Sequence, residues 1–345
     1  MHAQTKNRFF FILKAIVITM ACLSGIDSFA QDSWEKERDM AKSLITTERL
    51  HKEISFLSDS LCQGRAAGSE GSVEAAKHIS QIFEEAGLEK VGDSWFKSFH
   101  ISHNLKGQNV IGILPGSKSI PCDRYVIVGA HYDHLGTIGG KMYPGADSNA
   151  SGVAAMTSLA EMFGSMRRMG KILRCNIIFV AFDAKEYAFK GSENLWNLID
   201  YERLVNPITG KRITKDKICL MMNIDQVGSS LAPITKDRED YLIMLGTSSL
   251  KPKSKQNILK SENGRKGLGL EIGLDYYGSA NFTKMFYRLS DQKVFVDHKI
   301  PAVLFTSGIT MNTNKTWDKV ETLNIPVLQK RIHLMFHWLE KMMDE

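Results

Sequence analysis

The chain has 345 residues, 43% of them hydrophobic and 24% charged, which is enough to bury a sizeable core and too apolar for a disordered tail. With 27 glycines, 8 prolines and 5 cysteines it is neither a low-complexity chain nor a short disulfide scaffold. The formal charge of +6 comes from lysines and arginines scattered among 38 acids, without a basic stripe interleaved with aromatics, so no nucleic-acid partner is expected.

Lys6 and Arg8 precede Phe9-Phe10-Phe11-Ile12-Leu13, and a second apolar run, Ala15 to Ala21, follows Lys14. Ser28-Phe29-Ala30 then offers a small-residue cleavage site before Gln31. This pattern predicts an export signal over 1–30 and a periplasmic or extracellular mature protein. A retained anchor, or lipid attachment through Cys22, is the alternative. No later stretch is long and apolar enough to span a bilayer, so no stable membrane partner is expected. Cleavage after Ala30 removes three of the 44 basic residues and one of the 38 acids, leaving +4. Cys62, Cys122, Cys175 and Cys219 remain, far apart and without a CxxC pair; export permits a disulfide but does not require one.

The spacing predicts a helix between Thr47 and Ser58. A second follows the stretch Leu61-Cys62-Gln63-Gly64-Arg65, with Val73, Ala76, Ile79, Phe83 and Ala86 on one face, Ser69 as cap and Gly87 as stop. From Asn109 the chain becomes a series of short apolar runs: 110–114, 125–128, 177–181, 219–224, 241–245 and 302–305. Their continuous rather than alternating apolar character predicts strands covered on both faces. Helical stretches lie between, from Ala150 to Met166 with Ser148 or Asn149 as cap, and at the end with Leu328, Ile332, Met335, Phe336, Leu339 and Met342 on one side. Strands alternating with helices predict an α/β sheet sandwiched by helices, in one domain over 31–345 with loop insertions near 187–217 and 235–291.

In such sheets ligands bind beyond the carboxyl ends of the strands, and the polar residues fall there. One strand leads into His131-Tyr132-Asp133-His134, a glycine-rich turn ends in Asp147 before a helix, and later strands deliver Asp183-Ala184-Lys185-Glu186 and Asp225. His131, Asp147, Glu186 and Asp225 supply one imidazole and three carboxylates, a donor set that zinc accepts. A satisfied ion-pair network at the sheet edge is the alternative, because the spacing has none of the compactness of HExxH. Asp133 is placed to orient the ring of His131 through its other nitrogen, with a turn acid as the alternative, and His134 is expected in packing or behind the ligands rather than in ligation.

At these same residues the chain resembles the M28 family of zinc-dependent exopeptidases, which includes secreted bacterial aminopeptidases. The likeness runs from about Leu61 to the C-terminus through LCQGRAAGSEG, AHYDHLG, PGADSNASGVA, FVAFDAKEYAFKGS, MNIDQVGS, SDQKVF, KIPAVLFTSG and WDKVETLN. It implies a three-layer α/β/α sandwich with a mostly parallel or mixed central sheet. It further implies two zinc sites, the first held by His131, Asp147 and Asp225, the second by Asp147, Glu186 and a histidine. Two departures follow. Alignment places the second-site histidine at Asn314, and the glutamate that serves as general base is Lys185. A third, milder one is Ser290-Asp291-Gln292 in place of SDH; nearby His298 is expected at the surface.

A base needs a lone pair at working pH, which an ordinary lysine lacks at neutrality. The ammonium of Lys185 can instead take up part of the charge of a lost ion, so one zinc or partial occupancy is expected rather than two. The resemblance implies a metallo-exopeptidase acting on N-terminal peptide bonds through metal-activated water, with catalysis impaired. The alternative is a non-catalytic protein that binds peptides or small amines on the same fold.

Overall fold

The runs that read as continuously apolar become neighbouring strands of one sheet because helices cover both of its faces. The structure, a computed structural model, describes residues 34–117, 123–230, 239–276 and 278–344; the expected signal over 1–30, with Cys22, and Cys122 lie outside them. In chain order the elements are helices 34–43 (α1), Thr47–Ser58 (α2) and Glu70–Glu85 (α3), then strands Glu89–Lys90 (β1), Phe96–His100 (β2), Lys106–Leu114 (β3) and Tyr125–His131 (β4). A small hairpin, Thr137–Ile138 (β5) with Lys141–Met142 (β6), precedes Gly152–Arg168 (α4) and Asn176–Phe182 (β7). Next come Lys190–Asp200 (α5), Ile218–Ile224 (β8), Tyr241–Leu245 (β9), Ile258–Arg265 (α6) and Glu271–Gly273 (β10). Ala280–Phe286 (α7), Gln292–Asp297 (α8), Ala302–Thr306 (β11) and Ile325–Asp344 (α9) complete the chain.

The sheet order is β1-β3-β7-β4-β8-β11-β9-β10, with β2 pairing with β3. Its centre, β7, β4, β8 and β11, is parallel; β3 joins β7 and β9 joins β11 antiparallel, so the sheet is mixed and largely parallel. Side chains alternate between two clusters. On β4, Val126, Val128 and Ala130 pack with α2, α3, α4 and α9, while Tyr125 and Ile127 face Leu195, Trp196 and Phe295 of α5 and α8. The result is a three-layer α/β/α sandwich.

Local signals act as expected at α3, where the Ser69 hydroxyl accepts the Ser72 N–H at 3.1 Å. Val73, however, is exposed; the buried stripe runs through Ala75, Ala76, Ile79, Ile82 and Phe83. The helix after the glycine-rich turn begins at Gly152 rather than Ala150, because residues 146–151 form a wider turn; Asn149 Oδ1 still accepts the Gly152 N–H at 3.2 Å, as a cap would. The segments expected as loop insertions carry α5, β9, α6, β10 and α7. Cys62 and Cys175 are buried and Cys219 half-buried, all as free thiols.

Parallel pairing brings the functional ends to one edge. His131 lies beside Phe182, and Gly129 beside Asn223, so β4, β7 and β8 release His131, Asp183 and Asp225 at the same end of the sheet.

Candidate metal centre and cleft

His131 closes β4 and is fully buried. Its Nδ1 donates to the Asp133 backbone carbonyl at 3.1 Å and its Nε2 to Asp225 Oδ1 at 3.4 Å. Burial alone would lower the imidazole, but the negative charge of Asp225 outweighs the repulsion of Lys185, and with the hydrogen bonds to Asp133 and Asp225 it lifts His131 to about 10. With both nitrogens engaged, Nδ1 by a carbonyl and Nε2 by a carboxylate, the ring as placed offers no free lone pair. Against its own burial, Asp225 is held well below the usual carboxylate range by His131 and Lys185.

Asp133 contributes less to ring orientation than to the neighbouring turn. Its Oδ1 is 3.6 Å from His131 Nδ1. Its two oxygens accept the backbone N–H groups of Lys185, at 3.0 Å, and of Glu186, at 3.1 Å. Asp183 secures the same turn, Oδ1 accepting the Ala184 N–H at 2.8 Å and Oδ2 the Gln108 N–H at 2.9 Å. The turn, Lys185–Tyr187, is flanked by Ala184 and Ala188 in the left-handed region. Gly191 just beyond it admits no side chain, since a Cβ there would meet the Asp183 carbonyl oxygen at 2.2 Å. Lys185 Nζ donates to Glu186 Oε1 at 3.1 Å. Burial would lower the Lys185 ammonium, but Asp225, Glu186 and Asp133 together raise it above the ordinary lysine value.

The glycine-rich turn places its residues differently from the expectation that Asp147 serves both metals. Asp147 is fully buried, and its Oδ1 accepts the Gly228 N–H at 2.8 Å and the Ser151 hydroxyl at 3.0 Å. Burial raises its carboxyl above the ordinary value. Asp318, within the WDK stretch, accepts the backbone N–H of Asp147 at 2.9 Å and of Ser148 at 3.1 Å. Burial and the neighbouring Asp147 push Asp318 to about 7. Ser148 is the residue of this turn that lines the cleft, with its hydroxyl buried and unpartnered. A one-residue choice at the turn decides which side chain faces inward; apolar periodicity carries no signal for it.

Two buried arginines, which the sequence reading did not single out, hold the surrounding loops. Arg65 donates to the carbonyls of Tyr132, Pro144, Gly145 and Leu57. Arg331 donates to those of Tyr241, Val227 and Ser229 at 2.6 to 2.8 Å. His134 packs beneath, its ring nitrogens buried without partners and its imidazole pushed well below the usual range by burial and by Arg65. Asp291 is buried behind the site, Gln292 accepts from Asn223 Nδ2 at 2.8 Å, and His298 stacks on Trp196 at 4.0 Å. Asn314 is exposed at the cleft.

The residues present do not fit the two-zinc centre that the resemblance implies. The structure brings His131 and Asp225 together, leaves Asp147 outside the cleft lining with Oδ1 hydrogen-bonded and Oδ2 buried without a partner, and pairs Glu186 with an ammonium. Among the described residues no group of three or more His, Cys, Asp or Glu is placed to hold a metal ion. The cleft itself is a cavity of about 250 Å³. Its polar lining, or floor, includes Ser148, Lys185, Asp225, Gln226 and Asn314 together with Ser290, Thr306 and Thr313, and its apolar lining, or wall, is Leu245, Tyr276, Phe286, Leu289, Leu304 and Ile309.

Solved structures share this architecture. LapA aminopeptidase from Legionella pneumophila is 17% identical with a TM-score of 0.66, covering 90% of this chain and 75% of that one. BSAP, a zinc aminopeptidase from Bacillus subtilis, is 14% identical with a TM-score of 0.63, covering 86% and 95%. A glutaminyl cyclase from Macrostomum lignano is 15% identical with a TM-score of 0.66, covering 89% and 92%. At these identities the likeness establishes the fold. The model described as peptidase family M28 matches residues 109–338, more than half of the chain and every strand end that supplies the cleft. The chain belongs to peptidase family M28, a family associated with zinc-dependent peptidases, with an atypical metal-binding arrangement.

Proposed function

We propose that this chain is an exported aminopeptidase-fold protein that holds peptides or small amine-bearing molecules in its cleft, with hydrolysis of N-terminal peptide bonds impaired. The observation that carries this reading is Lys185. It lines the cleft at the position where the resembled enzymes keep a carboxylate base, it is paired with Glu186, and the surrounding carboxylates hold it protonated. A group without a lone pair cannot take a proton from an attacking water. What the floor retains is recognition: Asp225 presents a carboxylate to the cavity for an amine, and the apolar wall accommodates the side chain beside it.

His131 and Asp225 still stand within 3.4 Å of each other, two donors that could share one ion once the imidazole loses its proton. This favours a second reading, slow metal-assisted hydrolysis at sub-stoichiometric zinc. Purified mature protein should carry less than one zinc per chain and stay silent on a panel of aminoacyl chromogens supplied with zinc, cobalt or manganese. Turnover that disappears on His131→Ala would establish the second reading in place of the first.

A further inference from the structure

Three features of the cleft define a ligand more narrowly than an amine does. The first is that its two opposite charges attract each other, yet each has its contact partner elsewhere. Lys185 Nζ has its ion-pair partner in Glu186 at 3.1 Å, and Asp225 has its own in His131 at 3.4 Å, yet both line the same cavity. An ammonium carries three N–H donors, so Lys185 has capacity beyond the bond to Glu186. The second is Ser148, a residue of the cavity lining that is 1% exposed and whose buried hydroxyl has no hydrogen-bond partner. A buried unpartnered hydroxyl is costly unless something completes it. The third is the wall of Leu245, Tyr276, Phe286, Leu289, Leu304 and Ile309 around a volume of about 250 Å³, small beside the roughly 300–1,000 Å³ of ordinary ligand pockets.

We propose that the cleft is a site for a free α-amino acid with an apolar side chain: the α-amine on Asp225, the α-carboxylate on Lys185 and Ser148, the side chain against the apolar wall. This rests on the reading of the cleft as a binding site and sharpens its ligand from peptides and amines to a zwitterion. The charge balance supports the choice. Each charge at the floor already has a counter-charge, and a zwitterion enters without altering the sum, whereas a bare amine adds an uncompensated cation to a partly enclosed space. A peptide presents an amide where the free acid presents a carboxylate, and so offers the remaining N–H donors of Lys185 a neutral acceptor in place of a charged one.

Titration calorimetry on the mature protein with L-leucine, L-leucinamide, 4-methylpentanoate and leucyl-glycine tests this. L-leucine should bind at least tenfold more tightly than each of the other three. Lys185→Met should remove most of that preference by weakening L-leucine while leaving L-leucinamide little changed, and Ser148→Ala, a smaller edit, should weaken L-leucine several-fold with an unchanged circular dichroism spectrum. If L-leucinamide or leucyl-glycine binds as well as L-leucine, the zwitterion assignment is overturned and the broader peptide-binding reading stands. If none of the four binds, both fall.

Discussion

Lys185 and Glu186, adjacent in sequence, are ion-paired with each other, Nζ to Oε1 at 3.1 Å, so the one carboxylate of the turn that could bind an ion is already neutralised by its own neighbour. Ser148 and Asn314 stand at the same cleft as neutral residues. Replacing all three together, Ser148→Asp, Lys185→Glu and Asn314→His, should raise bound zinc from below one to at least one ion per chain, read by elemental analysis after dialysis. No gain in zinc would show that these positions do not surround a common point.

The turn at Lys185 depends on a carboxylate accepting two N–H groups at once. Asp133→Asn replaces one acceptor oxygen with an NH₂ that repels the second N–H. Loss of a charge-assisted hydrogen bond costs about 1.5–3 kcal/mol. Amide hydrogen exchange at Lys185 and Glu186 should accelerate by about tenfold or more, while exchange in α9 stays as it was.

Burial, aided by Asp133 and Asp225, pushes Asp291 up to about 7 despite His131 and Ser192. The folded state then binds the proton more tightly than the unfolded chain does. The resulting stability is present in full below about pH 4 and is lost as pH rises through 7. Asp291→Asn removes that loss. In urea titrations its advantage over the parent should grow from pH 4 to pH 7, reach the order of 2–4 kcal/mol, and stay level at higher pH. An advantage that does not vary with pH would place the proton elsewhere.

Arg65 satisfies four backbone carbonyls from three separate segments. Arg65→Leu leaves them buried without donors and should lower the free energy of unfolding by at least about 3 kcal/mol. Arg65→Lys restores the charge but not the planar fork, and should recover less than half of the loss in a guanidinium titration.

Most of the layering was legible because burial on both faces writes itself as unbroken apolar runs, and the six runs from Val110 to Phe305 all became strands. The edge at which His131, Lys185, Glu186 and Asp225 emerge followed from the same pattern, since parallel strands release their ends together. What escaped depends on geometry finer than periodicity. Whether Asp147 or Ser148 faces the cleft is set by a turn held by Asp318, 170 residues or more away in the chain. The roles of Arg65 and Arg331 lie in backbone carbonyls, which carry no residue identity and leave no motif. Val73 read as a core position and is exposed because the buried stripe of α3 winds one residue past it.

The guanidinium clasps also bear on how such a cleft can change over time. Tyr132, Pro144, Gly145, Val227 and Ser229, the segments that frame the floor, are held by Arg65 and Arg331 through main-chain oxygens alone. Side chains a residue or two away can therefore be exchanged without releasing the loops that carry them. The framework has no stake in which chemistry it displays, and a lineage can discard a hydrolase's working parts one substitution at a time while every intermediate keeps its shape.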